Sequence, residues 1–298
     1  MKSVLTSTSG VIPRNIYFLF FNIAVFTLCY TPIRDLLSLS LKSDLYSHVP
    51  LIPLISIYLI YSKRSTIFQD VSYSMAGGLT GIVAGILLYL IGLSQSGIFS
   101  PNDYLSLTIL SALILWLGGF LLFYGDKAFK EAIFPLLFLL SSVPMPDALR
   151  ENLIYVLQIN SADVSHWLFK MSGVPVYREG NIFMLPAGVN VEVAKQCSGI
   201  RSSIVLILTG ILLSHFYLKS NWRRLILILS IFPIAVFKNG VRILTLSLLS
   251  VYVDKRFITD SLLHKKGGII FFLLGVILLL IIMKLLKRND KGRESLNH

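Results

Sequence analysis

The sequence predicts an all-α polytopic membrane protein with about eight transmembrane helices, and three observations carry that prediction. Of 298 residues, 55% are hydrophobic and 14% charged, whereas an ordinary soluble domain carries about a quarter charged residues. The apolar residues fall in runs, each near the roughly 20 residues that a helix needs to cross about 30 Å of hydrocarbon. The net charge of +12 is spread between those runs and flanks their ends. That is the pattern of basic termini meeting anionic headgroups, and it argues against a nucleic-acid partner.

The spans fall at about 15–31, 49–62, 75–93, 104–124, 129–143, 200–218, 225–250 and 268–287, within one integral membrane domain covering 1–298. Lys2 and Arg14 precede the first run, from Ile16 to Tyr30, as in a secretory signal. The following Thr31-Pro32-Ile33-Arg34-Asp35 has no small-x-small cleavage site, so this run reads as an uncleaved first span that contains Cys29. The second and fifth spans are short and carry internal or flanking prolines. The third holds Gly77, Gly81 and Gly85 in an i, i+4, i+8 stripe that permits close helix approach.

Short loops set the orientation. Lys63-Arg64, Asp126 to Lys130, Lys219 to Arg224 and the stretch from Lys284 to Arg293 are basic, while Ser94 to Asp103 has no basic residue. Placing the basic set inside the cell puts both termini in the cytoplasm, with 288–298 as a basic cytoplasmic tail. Residues 144–199 then form an extracytoplasmic segment. Val143-Pro144-Met145-Pro146 ends a helix. Leu149, Leu153, Val156 and Leu157 recur at helical spacing and predict an amphipathic interfacial helix over 147–172. Asn181–Leu185 and Val189–Val193 are short apolar pieces punctuated by Gly, Pro and Asn. They predict a small β-hairpin before the sixth span, delivering the chain to Cys197.

Three features meet on that outer side. Cys197 opens the sixth span within Lys195-Gln196-Cys197-Ser198-Gly199-Ile200-Arg201. A cysteine at a helix N-terminus sees the positive end of the dipole, which favours its thiolate, and Arg201 at i+4 shares its face. Taken alone, the same cysteine also reads as a buried structural thiol. Lys238-Asn239-Gly240-Val241-Arg242 lies inside the seventh span. Arg242 is 18 residues beyond Arg224, or roughly 27 Å along a helix, which brings it close to the outer boundary. An intramembrane arginine marks function by default, with snorkelling to headgroups as the other reading. His264 precedes the eighth span, on the same side; His48 and His166 also fall outside. A thiol, a guanidinium and an imidazole on one membrane face suit acyl transfer: nucleophile, oxyanion or thiolate stabiliser, and proton carrier. The two cysteines form no disulfide framework and no Cys/His spacing suits zinc, so no metal or cofactor is expected.

The Cys-Ser-Gly-Ile-Arg-Ser run at 197–202, Asn239-Gly240-Val241-Arg242 and the isolated His264 resemble the exosortase/archaeosortase family. So do Tyr46-Ser47-His48 with Leu51-Ile52-Pro53-Leu54, and Phe134 to Leu139 with Pro144-Met145-Pro146; the resemblance runs from about residue 44 to 287. It implies an eight-span membrane cysteine protease or transpeptidase in the bacterial cytoplasmic membrane. Its substrates would be exported proteins whose C-terminal sorting signal joins a Pro-Glu-Pro-like motif, a hydrophobic helix and a basic tail. It implies Cys197 as nucleophile, Arg242 as electrostatic stabiliser and His264 as acid and base, and the histidine favours the bacterial branch. Arg201, Ser198, Asn239 and Lys238 are candidates for binding substrate or supporting these three. The alternative is a transporter or lipid-carrier binding protein with Lys238 and Arg242 as its anion site; it predicts inverted repeats, which the halves do not show.

Overall fold

The computed structural model describes residues 11–95, 97–195, 198–254 and 268–294. The chain divides into two compact units, Met1–Leu149 and Arg150–His298. Among the described residues, six helical stretches are long and apolar enough to cross a membrane, or up to eight if each of two bent pairs counts as one span. The chain is an all-α polytopic membrane protein with one small sheet.

In the first unit the predicted first span is broken. Helix α1 (Val11–Leu28) and α2 (Tyr30–Lys42) meet at Cys29 with a bend of 70°. Cys29 is fully buried there among Val25, Tyr89 and Leu115. The Tyr89 hydroxyl donates to the Leu28 carbonyl at 3.1 Å, covering a group whose partner four residues on, Pro32, has no N–H to give. Helix α3 (Leu51–Ser62) follows a 3-10 turn, and α4 (Arg64–Ile67) is a single turn.

Helices α5 (Met75–Ser94) and α6 (Pro101–Glu131) form the tightest pair of this unit. A Cβ added at Gly81 would lie 2.8 Å from Gly118 Cα, and one at Gly85 would lie 2.6 Å from Leu115 N. Of the predicted stripe, Gly81 and Gly85 are therefore at backbone contacts, with Gly118 opposite Gly81, whereas Gly77 faces the Leu121 side chain. Helix α6 outruns its predicted span of 104–124 and bends at Gly125, whose φ of 81° and ψ of 178° are non-helical. A Cβ there would meet the Ser72 carbonyl oxygen at 2.5 Å, so conformation and space both require glycine. The predicted fifth span, 129–143, is divided. Its start belongs to α6, and the rest is α7 (Ile133–Phe138) with a 3-10 turn at Leu139–Ser142. Ten residues reach only about 15 Å as helix, so this stretch is not a span by itself.

The second unit carries α8 (Asp147–Ser172), predicted over the same residues, and three antiparallel strands in the order β1-β2-β3. These are β1 (Tyr177–Glu179), β2 (Ile182–Leu185) and β3 (Val189–Glu192). The predicted hairpin is β2–β3, and β1 extends it through a tight turn at Gly180, which has a positive φ of 57°. Alternation turns Phe183, Leu185, Val189 and Val191 inward against Ala162 and Phe169 of α8 and Ile243 of the long helix described next.

Helices α9 (Ile200–Tyr217) and α10 (Asn221–Tyr252) form an antiparallel hairpin, and α11 (Gly268–Glu294) packs against both. Leu206, Leu218, Leu227, Ile231, Ile234 and Leu279 close the core of these three helices. At the turn, Arg224 Nε donates to the Leu218 carbonyl at 2.9 Å, satisfying an oxygen at the end of α9.

Candidate functional site

The chain reaches the predicted reactive segment already held on two sides. Val193 N–H extends the sheet by donating to the Asn181 carbonyl at 2.9 Å, and the Val193 carbonyl accepts from Gln158 Nε2 of α8. Ser198 N–H then donates to the Lys195 carbonyl at 3.2 Å. The Ser198 hydroxyl is buried and has no hydrogen-bond partner among the described residues.

Gly199 caps α9 with φ 74° and ψ 13°, in the left-handed region. Its carbonyl takes the Ser203 N–H at 3.0 Å, the Ser203 hydroxyl at 2.8 Å and the Ser202 hydroxyl at 3.0 Å. A Cβ on Gly199 would stand 3.0 Å from Asn239 Oδ1 and 3.1 Å from its Cγ. Backbone conformation and the neighbouring helix both specify glycine here. The contact also joins the two motifs: Gly199 of the first is seated against Asn239 of the second.

Lys238 and Asn239 are each 2% exposed. Burying an ammonium costs several kcal/mol unless it is hydrogen-bonded. Lys238 Nζ donates to the Ser202 hydroxyl at 2.5 Å. From the other side, a Cβ on Gly275 of α11 would fall 2.9 Å from Lys238 Cδ, so the missing side chain makes room for the lysine stem. Gly240 does the same toward α8, where a Cβ would meet Val164 Cγ1 at 2.7 Å; its carbonyl lies 3.5 Å from the Ser165 hydroxyl. Residues 238–240 are thus where α8, α9 and α11 all touch α10.

The hairpin has a regular register. Gly199 faces Asn239, Ser202 faces Lys238, and Gly210 faces Ile231. Arg242 is half-buried, three residues beyond Asn239, or about 4.5 Å further along α10 and past the start of α9. Arg201 sits exposed on the first turn of α9. Among the predicted site residues, the structure therefore brings Asn239 against Gly199, the residue after Ser198, and ties Lys238 to the first turn of α9 through Ser202. Cys197 and His264 lie outside the described residues. No group of three His, Cys, Asp or Glu side chains able to hold a metal occurs among the described residues.

Sequence reasoning missed Gly199, Ser202, Gln158, Gly240 and Gly275 as site-building residues. Small residues inside or bordering polar intramembrane runs were the available signal.

No curated protein and no solved structure matches this chain. Residues 38–281 do match a protein family, described as transmembrane exosortase. The match takes in the Tyr-Ser-His element, the polar segment before α9 and every predicted site residue. With a match across most of its length, this chain belongs to the transmembrane exosortase family.

Proposed function

We propose that this protein cuts C-terminal sorting signals from exported proteins as a membrane cysteine protease or transpeptidase. Family membership supports the coarser part of this reading, the processing of sorting signals. The observation that carries the finer part is the α9–α10 register. Asn239 is level with Gly199, two residues after Cys197. Arg242 follows Asn239 by three residues, about 4.5 Å further along α10 and beyond the start of α9. This supports pairing that guanidinium with the cysteine.

The chemistry proceeds in two halves. The Cys197 thiolate, favoured at a helix N-terminus, attacks the carbonyl carbon of the scissile peptide. Arg242 stabilises the oxyanion of the tetrahedral intermediate. His264 gives a proton to the departing amine as the C–N bond breaks, leaving a thioester between Cys197 and the exported protein. An acceptor amine or water then attacks the thioester, His264 takes its proton, and the thiolate leaves. The sorting tail would lie in the bilayer, with its Pro-Glu-Pro-like motif at the extracytoplasmic interface of the cytoplasmic membrane. Both termini of the enzyme would face the cytoplasm.

The carrier reading makes Lys238 part of an open anion site. The Lys238 ammonium is buried and already donates to Ser202, which favours the enzyme. The test is a strain carrying a reporter fused to such a tail. Cys197→Ala should abolish tail removal with the protein still in the membrane, while Cys29→Ala should process normally. Normal processing by Cys197→Ala would sink the proposal.

A further inference from the structure

Lys238 is a charged group that the proposed reaction does not use, yet it is the most buried charge described. The residue is 2% exposed, and its ammonium begins a relay. Lys238 Nζ donates to Ser202 Oγ at 2.5 Å, and Ser202 Oγ–H donates to the Gly199 carbonyl at 3.0 Å. Gly199 is the left-handed residue that starts α9 and stands two residues after Cys197. The next residue along α10, Asn239, backs the Cα of that same glycine. Two consecutive residues of α10 thus hold one glycine, one through its carbonyl and one at its α-carbon. Meanwhile Gly275 of α11 is shaped around the lysine stem, within 2.9 Å of Cδ for an added Cβ.

These contacts have a common consequence. Helix α9 follows the cysteine motif, α10 carries Arg242, and α11 follows the histidine element; one side chain touches all three. An apolar residue would fill this packing position without the cost of burying a charge. A charge retained there needs a task that packing alone does not supply. The relay supplies one, because it fixes the carbonyl at the start of α9, and so the point from which the reactive segment departs.

We propose that Lys238 is a positioning residue which, through Ser202 and the Gly199 carbonyl, sets the reactive segment in line with α10 and α11. This rests on the reading of Cys197 as nucleophile and deepens it. Misplacing a reacting group by about 1 Å costs up to a hundredfold in rate without weakening substrate binding.

The experiment uses the full-length detergent-solubilised protein and a synthetic sorting-tail peptide. Lys238→Met should lower kcat at least tenfold and leave KM within about twofold, with a normal yield of folded protein. Ser202→Thr, which keeps the hydroxyl, should retain most of the activity. Ser202→Ala should reproduce the Lys238→Met loss, and the double variant should be no worse than Lys238→Met alone, since both remove one relay. Should Ser202→Ala not fold because its ammonium is left unpaired, the comparison of Lys238→Met with the double variant still decides. Wild-type kcat in Lys238→Met overturns the inference. So do losses that multiply in the double variant, or a Lys238→Met protein that cannot be recovered folded, which would make the lysine a structural anchor. Cys197→Ala run alongside separates the two ideas: activity there removes the nucleophile reading itself, whereas an inactive Cys197→Ala beside a fully active Lys238→Met removes only the relay.

Discussion

At the scale of single residues, Gly199 is the most demanding position in the described site. It is left-handed, with φ 74°, and its missing Cβ lets Asn239 approach. Gly199→Ala therefore meets two penalties: a conformation costing roughly 1–2 kcal/mol for an L-residue, and displacement of a side chain that is itself buried. The expected outcome is a melting temperature lowered by a few degrees in detergent and a larger loss of tail processing, checked by thermal denaturation beside the reporter assay. Equal, small effects on both would show that the glycine serves stability alone. The sequence made Cys197, Arg242 and His264 visible because charged and reactive groups are conspicuous against an apolar background. It did not make Gly199, Ser202 or Gly275 visible as partners. Their importance comes from the rotation and register of packed helices, which single-residue chemistry does not encode. Cys29 shows the converse: read as a residue within a span, it sits at a helix break with no exposure.

At the scale of elements, the α5–α6 pair owes its closeness to glycine. In lipid there is little hydrophobic force between helices, so close backbone approach and van der Waals contact decide which ones associate. Helix α5 meets α6 through Gly78, Gly81, Gly85 and Gly118. A Cβ at Gly118 would lie 2.5 Å from Ile82 N and 2.7 Å from the Gly81 carbonyl carbon, both backbone atoms that cannot move aside alone. Gly118→Leu should therefore separate this pair and lower the melting temperature markedly. Gly97→Ala, where an added Cβ meets nothing within 4 Å, should leave it unchanged. Thermal denaturation of the two purified variants checks both, and an undisturbed Gly118→Leu protein would contradict the contact. Half of this interface was legible: the stripe on α5 has helical spacing, whereas Gly118 stands beside Gly119 with no stripe of its own. Strand β1 was illegible for a different reason. Tyr177-Arg178-Glu179 has no apolar alternation, and it is a strand because β2 pairs with it and Gly180 turns the chain back.

At the scale of the whole molecule, hydropathy and basic loops carried most of the reading. Long apolar runs appear as helices. Of the two runs that prolines made doubtful, the fifth is divided, whereas the second lies within a helical stretch, Asp44–Ser62, long and apolar enough to cross; the first run, which had no such mark, breaks at Cys29. Orientation adds its own prediction. With both cysteines replaced, a single cysteine at Glu179 should react with a membrane-impermeant maleimide on spheroplasts. One at Ser220, in the turn between α9 and α10, should react only after permeabilisation. The reverse pattern would invert the topology and put the proposed site on the cytoplasmic side.

The central claim is a covalent one. Purified protein mixed with a sorting-tail substrate, quenched in acid, digested and weighed by mass spectrometry should show the upstream substrate fragment attached to the peptide that contains Cys197. That adduct should be released by hydroxylamine, as a thioester is, and should be absent in Cys197→Ala. Turnover of the tail with no adduct at Cys197, or an adduct on another residue, would contradict the account.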